Sequence, residues 1–176
     1  QVLEIGIQLR VTRGFEQASQ QLQVFAGGTL LIQINNQHAV FTHAGELVIG
    51  IPAVLGTYAL VIDCARGTQV ARLTPPAGRQ FNGHGTFSAD GATLYTSEVE
   101  AEGSAGRIGL WDATANYARI GEWASGGIGP HDLKRLPLSD DLIIANGGIQ
   151  TDPTDRSKLN IATMRPNLAR LSPGGE

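Results

Sequence analysis

The chain has 176 residues, with 13 basic against 16 acidic side chains and a formal net charge of −3. That balance does not provide the basic patch of a nucleic-acid surface, and no run of 18 or more apolar residues offers a membrane-spanning helix. Glycine accounts for 23 residues, nearly twice the usual share of about 7%, and charged residues for only 16% against a usual figure of about 25%. The composition predicts a turn-rich, all-β domain.

Residues 1–37 show no clear repeat. Apolar and β-branched content reads residues 1–11 and 29–34 as strands, whereas the polar, Gln-rich residues 15–25 read as a short helix or a long loop. A positively charged start, an apolar core and a small-residue cleavage site do not follow one another, so no intact export signal is read. The first residue is Gln rather than Met, which is consistent with an N-terminal segment having been removed or not included.

From residue 38 the chain repeats itself. His38, His84 and His131 are spaced 46 and 47 residues apart and open the segments HAVFTHAGELVI, HGTFSADGATLY and HDLKRLPLSDDLII. Each reads as an apolar run, a turn and a second apolar run, and Phe41 and Phe87 both fall three places after their His. The later halves also recur, as LVIDCARGTQVARL over residues 60–73 and IGLWDATANYARI over residues 108–120. Both end in Ala-Arg-aliphatic, as does Ala169-Arg170-Leu171, which reads as a third closing strand.

Four short strands in each unit of this length are the signature of a β-propeller blade of the WD40 or YVTN-like type. The expected architecture is a partial propeller of about three to four blades. Residues 1–37 form a poorly matched partial or aberrant blade, and residues 38–176 form three blade-like repeats starting near His38, His84 and His131. Propellers close with roughly four to eight blades, so the chain is expected to be part of a longer protein or of an assembly. In isolation its uncovered blade faces and strand edges favour self-association or aggregation.

The first strand of each propeller blade lines the central channel, which would bring His38, His84 and His131 to one common space. Glu98 and Asn146 each follow a second strand and are expected near the same mouth. Imidazoles with a carboxylate form a ligand set for iron, copper or zinc. A His beside Glu98 also suits a general base in a hydrolytic site. The plainer alternative is a repeated His that hydrogen-bonds the backbone of a neighbouring blade, with Glu98 opening a solvated acidic loop over residues 98–102.

Other residues have structural readings. His43 falls in an exposed hairpin turn, residues 126–129 connect two blades rather than forming an anion nest, and Asp63 and Asp112 cap turns. Trp111 and Trp123 pack blades, and Cys64 is a buried, inert thiol. Arg79 and Arg165 either reach the channel mouth or pair with the repeated Asp residues. No Gly-x-Ser-x-Gly elbow, His-Glu-x-x-His helix or paired Cys-x-x-Cys supports a serine hydrolase, a zincin or a zinc ribbon.

Five segments carry a family resemblance: GTYALVIDC over residues 56–64, GRQFNGHGTFSADG over 78–91, GIGPH over 127–131, ANGGI over 145–149 and KLNIATMRP over 158–166. In that order they resemble the bacterial family called domain of unknown function 1513, from about Gly56 to Leu171. Asp132 stands where that family usually has Glu, the turn after Pro137 lacks its Gly, and residues 1–37 match poorly. The resemblance implies a seven-bladed propeller about twice this long, exported to the periplasm by the twin-arginine route. It also implies companionship with periplasmic iron-acquisition proteins, including imelysin-like and di-haem proteins.

Three functional expectations result. The first is a periplasmic binding or accessory propeller with a metal or ligand at the channel mouth and a periplasmic protein partner, linked to iron handling. The second is a metal-dependent, lactonase-like hydrolase. The third is a purely structural or interaction propeller.

Overall fold

Alternating apolar residues and frequent turns build a chain of strands that fold back on their neighbours. The structure, a computed structural model, describes the backbone of residues 21–24, 30–34, 37–38, 47–50, 57–63 and 68–176, and side chains over 57–61 and 69–176. Four antiparallel sheets follow one another along the described residues. The first contains β1 (Gln21–Val24), β2 (Leu30–Ile34) and β3 (Gln37–His38), and the second β4 (Leu47–Gly50), β5 (Ala59–Asp63) and β6 (Thr68–Leu73). The third contains β7 (Arg79–Phe87), β8 (Thr93–Glu100), β9 (Ala105–Asp112) and β10 (Ala118–Ile128). The fourth contains β11 (Pro130–Arg135), β12 (Leu142–Asn146) and β13 (Asn167–Leu171). In every sheet the strands lie in chain order, the meander of a propeller blade.

Two expectations change. Residues 21–24 do not continue a helix, because Gln-Leu-Gln-Val alternates with period two and pairs with β2 as a strand. His38 pairs with Gln33 of β2 rather than opening the sheet that contains β4. Ala71-Arg72-Leu73 ends β6, Ala118-Arg119-Ile120 opens β10 and Ala169-Arg170-Leu171 ends β13, each the last described strand of its sheet. The strand reading of residues 1–11, the hairpin position of His43 and the burial of Cys64 lie outside the described residues.

The turn chemistry is local. Between β7 and β8, the Asp90 carboxylate accepts from Ser88 Oγ at 2.6 Å and from the Ala92 amide at 3.0 Å, while Gly91 takes φ +72°. Asp112 caps the 3-10 turn Ala113–Ala115 by accepting from the Thr114 and Ala115 amides. The hydrogen bond from the Thr114 hydroxyl above all, with those from these amides, holds the Asp112 carboxyl below the usual carboxylate range.

The third sheet is apolar on both faces, and β8 is buried along nearly its whole length. On one face Phe81, Phe87, Leu94 and Trp111 pack against Ala59, Val61, Ala71 and Leu73 of the second sheet. On the other, Tyr95, Ile108, Leu110 and Trp123 pack against Leu133, Leu142, Ile144 and Leu171 of the fourth. Sheets that bury both faces stack as successive blades, and this stacking runs β7 and β11 side by side as the inner strands. Ile108 is fully buried in the second interface, so Ile108→Ala should lower stability by about 2–5 kcal/mol. The effect should appear as a lower urea midpoint with an unchanged denaturant slope.

Candidate functional site

Both histidines with described side chains sit where their strands lose regular register. In β7 the pairing runs from Phe81 opposite Glu98 to Gly85 opposite Thr96, leaving Asn82, Gly83 and His84 to face Ser97 alone. In β11 the pairing passes from Pro130 opposite Asn146 to Asp132 opposite Ala145, leaving His131 as the extra residue. Such bulges bend the strand and re-aim side chains. Here they bring the His84 and His131 rings to a centroid separation of 5.1 Å, with planes at 76°.

The polar groups released by the bulges are supported from behind. Ser97, fully buried, accepts from the His84 amide at 3.0 Å and donates to the His84 carbonyl at 2.9 Å. Asn82 links the two strands. Its side-chain amide donates to the Pro130 carbonyl at 2.8 Å, and its own carbonyl lies 3.0 Å from His131 Nδ1. A carbonyl only accepts, so His131 Nδ1 carries the proton and, in the neutral ring, Nε2 carries the lone pair. Arg156, from the long connection between β12 and β13, donates to Asn82 Oδ1 at 3.1 Å. The same connection accepts from Gln80 at the Pro153 carbonyl, at 3.3 Å, which ties it down over β7.

Gly83 permits the approach. It takes φ +152°, and a Cβ there would lie 2.5 Å from the His131 carbonyl oxygen and 2.7 Å from Nδ1. Gly83→Ala should therefore separate the two rings and destabilise the protein by about 1–3 kcal/mol, a change read by thermal melting and by His proton shifts in NMR.

Asp132 adds a carboxylate beside the pair. Its Oδ1 is 3.7 Å from His84 Nδ1 and 3.4 Å from Lys134 Nζ, and this buried atom accepts no hydrogen bond. His131 also walls an open cleft of about 450 Å³, whose other sides are Ala145, Asn146, Gly147, Pro166, Asn167 and Leu168.

Asn146 thus shares the cleft with His131, whereas Glu98 and Arg79 lie elsewhere. Glu98 is neither in a solvated loop nor beside the histidines. It occupies β8 on the face opposite Ser97, because neighbouring residues of a strand point to opposite sides. Fully buried, it accepts from both arms of Arg119 at 2.8 and 2.9 Å and from Thr96 Oγ1 at 2.8 Å. Trp111 Nε1 donates to the same Thr96 oxygen at 2.9 Å, and Gly109 opposite leaves room for the carboxylate.

Arg79 joins this lattice rather than the channel mouth, donating to Glu122 at 2.7 Å and lying 3.6 Å from Glu100. Asn146, also buried, is absorbed by Ser125, which donates to its Oδ1 at 2.7 Å and accepts from its amide through the backbone carbonyl at 3.0 Å. Arg165 is exposed, and its backbone packs against Gly148. The His38 side chain lies outside the described residues. Among the described residues, no three His, Cys, Asp or Glu side chains are placed so that they could hold a metal ion as they stand.

Asn82, Ser97, Gly83 and Asp132 are the participants that sequence patterning passed over. The one signal for them was Gly on both sides of His84 inside an apolar strand, a mark of bulges and close backbone approach.

The sequence profile of the family described as "Protein of unknown function (DUF1513)" matches residues 34–176. The chain belongs to the DUF1513 family. Among curated proteins, none matches it. Its fold is similar to hydrazine synthase of Kuenenia stuttgartiensis, with a TM-score of 0.55 and 14% identity over 88% of this chain and 46% of that one. A eukaryotic initiation factor is similar at a TM-score of 0.50 and 16% identity, over 77% of this chain and 38% of that one. The DUF1513 chain thus spans less than half of either structure, and at these identities the likeness shows the all-β blade fold alone.

Arg79, first by its hydrogen bond, holds the Glu122 carboxyl below its ordinary range, with Arg119 adding to the effect. A carboxyl lowered by folding stabilises above its unfolded pKa, and that contribution is lost as pH falls through the lowered folded value. Glu122→Gln should therefore flatten the acid limb of the stability profile, measured by urea unfolding between about pH 5 and pH 2.

Proposed function

We propose that this DUF1513 chain is part of a periplasmic binding or accessory propeller that holds a transition-metal cation at the rim formed by β7 and β11. The observation that carries the reading is the convergence of His84 and His131 from the bulges of adjacent inner strands. Two imidazole nitrogens bound at about 2.1 Å and at a tetrahedral angle hold their ring centroids roughly 5 Å apart, and the observed separation is 5.1 Å. The Asn82 carbonyl fixes the His131 proton on Nδ1, the kind of outer partner that orients metal-bound imidazoles. The open cleft beside His131 offers an approach from solvent.

Export and a link to iron handling rest on the family resemblance, and a periplasmic partner protein belongs to the same reading. The hydrolase alternative has less support, because Glu98, its intended carboxylate, is bound by Arg119 and Thr96.

Elemental analysis of the full-length protein, isolated from the periplasmic fraction without affinity-metal columns, tests the proposal. Near-stoichiometric iron, copper or zinc is expected, with loss of the metal in a His84→Ala/His131→Ala double variant that melts normally. Metal-free protein that also fails to take up added metal would sink the reading, and recovery from the cytoplasm alone would remove its periplasmic part.

A further inference from the structure

We infer that Asp132 supplies the anionic donor of this rim site, so that His84, His131 and Asp132 together take a divalent late transition metal and Lys134 competes with that metal for the same oxygen. This rests on the reading of the histidine pair as a metal site.

The first support is an unmet polar atom. Asp132 Oδ1 is buried and accepts no hydrogen bond, an arrangement that is costly for a carboxylate oxygen unless a cation lies close by. Its two charged neighbours are His84 Nδ1 at 3.7 Å and Lys134 Nζ at 3.4 Å. Lys134 is a mobile partner, with its side chain 67% exposed on a flexible stem. It offsets the carboxylate charge without satisfying the oxygen's geometry.

The second support is distance. Donors bound at about 2.1 Å stand roughly 3.0–3.4 Å from one another in octahedral or tetrahedral sites. The 3.7 Å between His84 Nδ1 and Asp132 Oδ1 exceeds this by a few tenths of an ångström, a gap that small side-chain rotations can close. As they stand, no three such groups among the described residues are placed to hold a metal ion, so binding requires that movement. Two imidazoles and one carboxylate favour iron(II), cobalt(II) or zinc over the hard cations magnesium and calcium, which prefer oxygen-only shells.

The third support is the contrast with Glu98. Its two oxygens accept three hydrogen bonds, two of them from Arg119, and breaking such a buried pair to recruit the carboxylate costs several kcal/mol. Asp132 requires only the displacement of one exposed ammonium.

Cobalt(II), whose visible spectrum reports its ligands, is the probe. The full-length protein, stripped of metal, is titrated with cobalt(II) alongside Asp132→Asn, Lys134→Ala and Glu98→Gln variants. Asp132→Asn should weaken binding by about a hundredfold, the upper end of what even outer-sphere partners contribute, and should change the absorption envelope. Lys134→Ala should tighten binding about two- to fivefold, as expected for release of one exposed ion pair. That gain is not expected if Asp132 and Lys134 serve only to stabilise the strand. Glu98→Gln, if it remains folded by its thermal melt, should leave the affinity unchanged.

Tight cobalt(II) binding that is equal in wild type, Asp132→Asn and Lys134→Ala would overturn the role of Asp132 while leaving the histidine site standing. No binding by the wild type up to about 1 mM, on the weak side of any specific site, would overturn both. A poorly folded Asp132→Asn protein would shift the decision to Lys134→Ala, whose side chain is largely exposed; an unchanged affinity there counts against the inference.

Discussion

The constraint on which the architecture depends is a sheet that is apolar on both of its faces. The β7–β10 sheet presents Leu94 and Trp111 to one neighbour and Tyr95 and Ile108 to the other. A sheet of this kind cannot leave either face in water without exposing several large side chains, each contributing about 1.5–3 kcal/mol when buried. Stacking between two other sheets resolves this, and repeated stacking produces blades. The position of the rim site follows, because the same packing sets β7 beside β11.

Within that stack, polar groups are divided between two places with different chemistry. On the face that packs toward the second sheet, Glu98, Arg119, Glu122, Arg79, Glu100 and Arg107 form a connected lattice across all four strands of the blade. Most of its charges are satisfied bidentately or by more than one partner, so the lattice specifies a geometry and has little spare capacity for a ligand. At the inner edge, by contrast, the bulges remove regular ladder bonds and Ser97 and Asn82 replace only some of them. The rim retains the Asp132 oxygen without a hydrogen bond, the two edge-to-face rings and an adjoining cleft. This contrast is why the proposed site is placed at the rim rather than in the more highly charged lattice.

The fold was legible in the sequence because it follows from periodicity. A repeat of forty-odd residues, glycines at turns such as Gly91, and apolar alternation in segments such as residues 93–100 all report on backbone geometry near the residue itself. Trp111 and Trp123 were read as packing residues and Asp112 as a cap, and each occupies that place. The pairing of His84 with His131 was also accessible, since equivalent positions on inner strands converge. Glu98 was misplaced because the second strand was read as ending before it, whereas β8 runs to Glu100 and its alternation turns Glu98 to the face opposite Ser97. The three-residue bulge at Asn82–Gly83–His84 shifts the inner strand against β8, and no residue pattern in β8 records that shift. The Arg119 partner lies 21 residues away, a contact that only the pairing of β8, β9 and β10 creates.

The glycines around His84 connect these observations to the chemistry. A side chain at position 83 would collide with the backbone of β11, so the close approach of the two inner strands is possible only with glycine there. That approach puts the Asn82 carbonyl against His131 Nδ1, which assigns the proton and leaves Nε2 as the ring's donor atom. Arg156 reaches the same Asn82 from the connection between β12 and β13, 74 residues further along the chain, so Asn82 is held from both blades. A histidine whose tautomer and orientation are set in this way pays little entropy to coordinate a cation. The bulge is accordingly a positioning device built into the blade interface, and the conformational cost of Gly83 is offset by the two ordered imidazoles it allows to meet.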